Sequence, residues 1–86
     1  MESIQSLLPR IKGMLVERLF LNVVPEDMPD GANIMDEYGV DSVALLELVV
    51  ALEDEFGIVV EDGDFDIANF TTPTALAKFV STHIED

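Results

Sequence analysis

The stretch from Ser42 to Phe56 constrains the fold more than any other part of the sequence, because it carries helix signals at both ends. Asp41 precedes it and is a favoured N-cap residue, and Gly57 follows it, where helices commonly end in the left-handed conformation. Its interior is rich in leucine and valine and lacks glycine and proline. The sequence therefore predicts a central helix over 42–56, against which the rest of the chain must pack.

This central helix carries more apolar surface than a single core contact requires. With about 100° between successive residues, one inward-facing stripe is predicted, formed by Leu45, Leu48, Val49, Leu52 and Phe56. A second apolar strip, which lies beside Ser42 and outside the main stripe, consists of Val43, Leu46 and Val50. Glu47 and Asp54 border this strip, and Glu53 lies within about 20° of Ser42 around the helix. Two interpretations stay open, and both can hold in part: burial of the helix on two sides, and a docking surface with an apolar centre and carboxylates at its edge.

Another helix is predicted before the central one, from about Ile4 to Leu21. Apolar residues recur there at spacings of three and four, which places on one face Ile4, Leu8, Ile11, Leu15 and Leu19. Its start has two interpretations. If Ser6 is the N-cap, Pro9 lies in the first turn, where its missing N–H costs little. If the helix starts nearer Ser3, we expect a kink at Pro9.

A long polar connection, 22–41, joins these two helices. Its helix-breaking residues are Pro25, Pro29 and Gly31. Connections of this length without structure are uncommon in compact domains and are often functional. The residues that we expect to pin it to the core, through a short helical turn, are Ile34, Met35 and Tyr38.

The last helix is predicted from Thr72 as N-cap and Pro73 at the first helical position. Its apolar residues are Leu76, Phe79, Val80 and Ile84. Before it, 64–70 fits a single helical turn, and 58–60 is too short to be more than a weak strand signal. The prediction is an all-α domain, 1–86, built as a small bundle of three main helices and one short helix.

Charge excludes several classes of partner. There are 18 acidic residues against 4 basic ones, which gives a formal net charge of −14. Binding to nucleic acid or to an anionic membrane needs the opposite sign, so neither is expected as a partner. The negative field attracts basic protein surfaces, although a purely solubilising role is the alternative. Because there is also no membrane-spanning run and no signal-peptide pattern at the N-terminus, we expect a cytoplasmic protein.

Ser42 is the candidate functional residue, although not as a catalytic nucleophile. At the start of a helix it meets free N–H groups and the positive end of the helix dipole, both of which favour a phosphate. The only histidine is His83, near the other end of the chain, and no Gly-Xaa-Ser-Xaa-Gly motif surrounds the serine. The absence of cysteine means that any thioester chemistry needs a thiol from outside the sequence.

The acidic run 61–66 suggests a calcium loop, but the pattern fails. If Asp62, Asp64 and Asp66 were the first ligands, Ile67 would stand where glycine is required and Pro73 where glutamate is required. A solvated acidic loop is the simpler interpretation, and no metal site is predicted.

The residues around Ser42 resemble the signature of acyl carrier proteins. The matching runs are Gly39-Val40-Asp41-Ser42-Val43, Leu46-Glu47-Leu48 and Ala51-Leu52-Glu53-Asp54-Glu55-Phe56-Gly57-Ile58. The acidic loops and the start of the last helix also fall where that family has them, so the resemblance covers essentially the whole chain. It implies a four-helix bundle with a long first loop.

The resemblance also implies a function for these residues. A phosphopantetheinyl transferase would attach a 4′-phosphopantetheine arm from coenzyme A to Ser42, and Asp41 would matter to the transferase and its magnesium. The thiol of the arm would hold acyl groups as thioesters. The protein would then be a carrier and not an enzyme. We also expect it to be a monomer. Acyl-transferring and acyl-modifying synthase enzymes with basic docking patches would recognise Val43, Leu46, Glu47, Val50 and Glu53.

One position departs from the family pattern. Ala44 stands two residues after the serine, where carriers for fatty acid synthesis usually have an acidic residue. This departure favours a specialised carrier for polyketide, lipid or peptide-like products over a housekeeping fatty acid carrier. The alternative function is an acidic protein-interaction module of the same fold that is never modified.

Overall fold

The computed structural model describes residues 3–61, 63 and 66–84. The helices are α1 (Ile4–Leu19), α2 (Ile34–Tyr38), α3 (Ser42–Phe56) and α4 (Pro73–His83). Single 3₁₀ turns lie at Pro25–Asp27 and Ile67–Asn69. The prediction of an all-α bundle with three main helices and one short helix is confirmed.

The start of α1 is set by two serines that cap each other. The Oγ atom of Ser3 accepts a hydrogen bond from the N–H of Ser6 at 3.1 Å, and the Ser3 N–H donates to Ser6 Oγ at 3.1 Å. This capping box satisfies two N–H groups at once, which selects the earlier of the two predicted starts. The helix continues without interruption through Pro9.

The end of α1 comes two residues earlier than predicted, because Phe20 adopts the left-handed conformation with φ 56° and ψ 45°. The N–H groups of Phe20 and Leu21 both donate to the carbonyl of Val16. Helices α2 and α3 end in the same conformation at Gly39 and Gly57, where glycine adopts it without steric cost. For a phenylalanine it costs about 1–2 kcal/mol. Among the described residues, Phe20 is the one non-glycine residue with a positive φ.

The core lies where α1 packs against α3 and α4. All members of the stripe predicted on α3 face it: Leu45, Leu48 and Leu52 are buried, and Val49 and Phe56 are partly buried. Buried residues that the sequence reasoning missed include Leu7, Met14 and Ala51. In the described part of the chain no polar or charged side chain is buried. The stability of the bundle therefore rests on apolar packing.

The long connection between α1 and α3 packs against the core. Ile34 is fully buried, and Met35 and Tyr38 pack partly buried against the core, as predicted. Met28, which the prediction missed, is only 1% exposed. Asn33 caps α2, since its Oδ1 accepts hydrogen bonds from two N–H groups of the first turn.

Three hydrogen bonds tie this connection to the start of α4. The N–H of Ile34 donates to the carbonyl of Thr71 at 2.8 Å. The carbonyl of Asp30 accepts from the N–H of Thr74 at 3.0 Å and from its Oγ1 at 2.9 Å. As predicted, Thr72 caps α4, with its hydroxyl accepting from the N–H of the third helical residue.

In the described residues before α4, a helical turn lies within the predicted range. The 3₁₀ turn Ile67–Asn69 is capped by Asp66, whose Oδ1 accepts from the N–H of Ala68 at 3.0 Å. The first two residues of the predicted turn, Asp64 and Phe65, lie outside the described residues.

Three of the four basic residues hold α1 to its neighbours through ion pairs. Arg10 lies 3.6 Å from Glu55, Arg18 lies 3.6 Å from Asp54, and Lys12 pairs with Asp30. The guanidinium of Arg10 also stacks over the ring of Phe56, 4.5 Å from its centroid. These cations are therefore committed to carboxylates on α3 and on the long connection.

Candidate functional site

Ser42 is the exposed first residue of α3, and Asp41 fixes the turn that presents it. One carboxylate oxygen of Asp41 accepts from the N–H of Ala44 at 2.8 Å, and its carbonyl accepts from the N–H of Leu45 at 3.0 Å. The predicted N-cap is confirmed. The N–H groups of Ser42 and Val43 have no acceptor within the helix, so the first turn offers donors and a positive dipole end at the serine.

The serine is exposed, but both of its flanks are anchored. Val40 is 4% exposed, and its N–H donates to the carbonyl of Ile34 at 3.3 Å. On the other side Leu45 is 1% exposed in the core. The hydroxyl of Ser42 is thus held at a fixed place on the surface while remaining open to a partner enzyme.

The apolar strip beside the serine is open to solvent. Val43 is 72% exposed, Leu46 58% and Val50 53%. Full burial of this side is therefore excluded, and the half-covered Leu46 and Val50 still present a surface that a partner can meet. Exposed apolar side chains in one contiguous patch are typical of interaction sites.

The acidic residues around the strip are not equivalent. Glu47 is exposed at its edge, and Asp54 is exposed but paired with Arg18. Glu53 is half-buried, and its Oε2 accepts from the N–H of Val60 at 2.9 Å. Its carboxylate therefore stabilises the segment that follows α3, a contact that the sequence reasoning missed. A role of Glu53 in partner recognition stays a prediction.

Two surface depressions flank the first turn of α3. A small apolar cleft of about 180 Å³ is lined by Ser42, Val43, Leu45, Leu46 and Ile67. The sequence reasoning did not include Ile67 among the site residues. The only sequence signal for it is that an apolar residue stands within an acidic loop. The other depression, of about 420 Å³, lies between the end of α1 and α3 and includes Phe20. We call it the Phe20 groove.

The described residues lack two features that other functions would need. No three His, Cys, Asp or Glu side chains there are grouped so that they would hold a metal ion. No helix there has the length and apolar character needed to cross a membrane.

Comparison with known proteins links the chain to one family. The family described as phosphopantetheine attachment site matches residues 11–80, which is most of the chain. The acyl carrier protein of Rhodopseudomonas palustris is 45% identical over 53 residues, 62% of this chain and 65% of the relative. Those of Zymomonas mobilis and a Bradyrhizobium species are 42% and 43% identical over the same shares. The matched part of the chain thus spans 65% of the length of these relatives.

The geometry at Ser42 fits a covalently attached phosphate ester. The hydroxyl is exposed, the first turn of α3 supplies N–H donors, and the helix dipole favours negative charge there. The carboxylate of the preceding residue, Asp41, accepts a hydrogen bond from the N–H of Ala44, which offsets part of its repulsion toward a phosphate. The apolar cleft beside Ser42 offers a surface on which a flexible chain can rest.

Proposed function

We propose, because the chain belongs to the phosphopantetheine attachment site family, that its 4′-phosphopantetheine is attached to Ser42 and that it acts as an acyl carrier protein. The observation that carries the proposal is the exposed serine at the start of α3, held by the Asp41 cap and anchored on both sides. When bound, the arm supplies a thiol that holds acyl groups as thioesters, which this cysteine-free chain cannot do by itself.

The role of the chain in loading the arm is to present a hydroxyl. Ser42 Oγ replaces the adenosine bisphosphate at the pantetheine phosphorus of coenzyme A, and its proton passes to the transferase. The N–H groups of the first turn then face the new phosphodiester, and the helix dipole stabilises its charge. Asp41 keeps this turn in place and presents a carboxylate beside the reacting hydroxyl, where the transferase and its magnesium bind.

The protein carries the acyl group and leaves the catalysis to its partners. The one histidine is engaged elsewhere: the ring of His83 stacks on Phe79 with 4.1 Å between centroids, and its Nδ1 lies 2.8 Å from the Phe79 carbonyl. A serine without a base is a poor nucleophile. Activation of Ser42 is therefore the task of the transferase.

Acyl-transferring and acyl-modifying enzymes dock on the exposed strip. Val43, Leu46 and Val50 supply its apolar centre, and Glu47 supplies an acidic edge for basic residues of the partner. With three of the four cations committed to internal ion pairs, little positive charge opposes such a partner.

The pathway is fatty acid, polyketide or related lipid synthesis. Ala44 lies partly buried against the core, and its N–H is bound by the Asp41 cap. The position that is usually acidic in fatty acid carriers is thus occupied here by an alanine that packs against the core. This supports a specialised product, and mass spectrometry of the native thioester would identify its acyl group.

The proposal is tested by intact-mass measurement of protein treated with coenzyme A and a phosphopantetheinyl transferase. We expect the mass to rise by one phosphopantetheine group in the wild type and to stay unchanged in Ser42→Ala. Circular dichroism of the variant checks that it is folded. A folded wild-type protein that gains no such group would contradict the proposal. The unmodified protein-interaction module would then be the remaining function.

A further inference from the structure

Phe20 combines two features that a purely structural residue would avoid. It adopts the left-handed conformation with φ 56°, and its side chain is 90% exposed. Glycine stands at both other left-handed helix ends of the described chain, so the fold itself does not require an aromatic residue there. A large apolar side chain that is strained and in water contributes little to folding, which indicates that it is kept for a partner.

The Phe20 groove places this side chain next to the modification site. Its lining comes from Leu19 and Phe20 around the end of α1, and from the N-cap and first turns of α3, namely Asp41, Val43, Ala44 and Glu47. Arg18 also lines the groove and is already paired with Asp54 at 3.6 Å. The lining thus combines apolar side chains with the carboxylates of Asp41 and Glu47, and it shares Val43 with the exposed strip.

We propose that the Phe20 groove is the docking site of the phosphopantetheinyl transferase that modifies Ser42, an inference that rests on the proposed function. An apolar side chain of the transferase packs between Phe20 and Val43, while a basic side chain pairs with Asp41 and Glu47.

Position selects the transferase among the partners. Its reaction takes place at Ser42 Oγ itself, so its active site must cover the first turn of α3 and the groove beside it. Enzymes that act on the far end of the arm dock on the strip formed by Val43, Leu46 and Val50, and they need not cover Phe20 at the end of α1. A second copy of the chain is a poor occupant, because a net charge of −14 would bring carboxylates against carboxylates.

The test is the kinetics of modification of the full-length apo protein by a purified phosphopantetheinyl transferase and coenzyme A. The variants are Phe20→Gly, which removes the side chain and suits the left-handed conformation, and Phe20→Asn, which keeps a Cβ there. The control is Val59→Ser, which changes an exposed apolar residue beyond the opposite end of α3 (68% exposed).

We expect kcat/KM to fall about tenfold in both Phe20 variants, mainly through a higher KM for the carrier, and to stay unchanged in Val59→Ser. The unfolding midpoint of Phe20→Gly should equal or exceed that of the wild type, because the strain is removed. A purely structural role would instead lower this midpoint and leave KM unchanged.

Two results overturn the inference, and they are distinguishable. If the wild type is modified and both Phe20 variants match its KM, the docking site is wrong and the proposed function stands. If the wild type is not modified at Ser42, the proposed function and the docking site fall together.

Discussion

At the scale of single residues, Asp41 has a structural and a proposed functional role that can be separated. Its carboxylate caps α3 by accepting from the N–H of Ala44 at 2.8 Å. Asparagine caps equally well but carries no charge, whereas alanine loses both properties. We therefore expect Asp41→Ala to lower the free energy of unfolding by about 1 kcal/mol and Asp41→Asn to leave it nearly unchanged. Urea unfolding measures both.

The rate at which the transferase modifies Asp41→Asn tests the proposed functional role of the Asp41 charge. If the charge of Asp41 serves the transferase and its magnesium, Asp41→Asn loses modification rate although its stability is retained. Equal rates for Asp41→Asn and the wild type would restrict Asp41 to its capping role.

Glu53 is expected to matter for stability. Its carboxylate accepts from the N–H of Val60 at 2.9 Å in a half-buried position. Removing the acceptor in Glu53→Ala should cost about 1 kcal/mol, since the N–H loses its partner. Glu53→Gln keeps an acceptor oxygen and should cost less, which thermal unfolding of the two variants would show. If both variants lost the same stability, the charge and not the hydrogen bond would be responsible.

Local chemistry decided which residues were predictable. Asp41, Gly57 and Thr72 act on their own helix ends within a few positions, so the sequence revealed them. Glu53 and Phe20 could not be read in this way. The hydrogen-bond partner of Glu53 is the N–H of Val60, which lies beyond the end of the helix. Phe20 adopts a left-handed backbone conformation that is unfavourable for a phenylalanine.

At the scale of elements, the connection between α1 and α3 depends on Met28. This side chain is 1% exposed and belongs to the core cluster. Met28→Ala leaves a cavity and should lower the free energy of unfolding by about 2–4 kcal/mol. The matched control is Val24→Ala in the same connection, which is 53% exposed and should change stability by less than about 0.5 kcal/mol.

Denaturant unfolding of both variants tests this. Similar stability in Met28→Ala and Val24→Ala would mean that the connection is not part of the cooperative core.

Sequence periodicity located the three long helices because each repeats one apolar face over several turns. Met28 has no such repeat around it, so its burial depends on where the connection folds back, which only the tertiary structure shows.

At the scale of the whole molecule, repulsion between carboxylates opposes folding. The net charge of −14 arises from 18 acidic and 4 basic residues, and the three ion pairs relieve only part of it. Raising the salt concentration from about 0.01 to 0.15 M shortens the Debye length from about 30 to 8 Å. We expect a gain on the order of 1 kcal/mol, or about 4–8 °C in the unfolding midpoint.

A charge variant provides the control for this effect. Glu17 and Glu37 are both exposed, so replacing them with glutamine should raise the midpoint in low salt and reduce its salt dependence. A midpoint that stays constant or falls as salt is added would mean that screening of the ion pairs outweighs relief of the repulsion.

The hydrogen bond from Ile34 to Thr71 has a consequence for how the opening of the molecule can be observed. It joins the connection after α1 to the residue before the cap of α4, and the side chain of Ile34 is fully buried. Its amide can exchange with deuterium only when these distant segments separate. Exchange of this one proton should therefore report global opening, whereas amides at the helix ends exchange through local fraying.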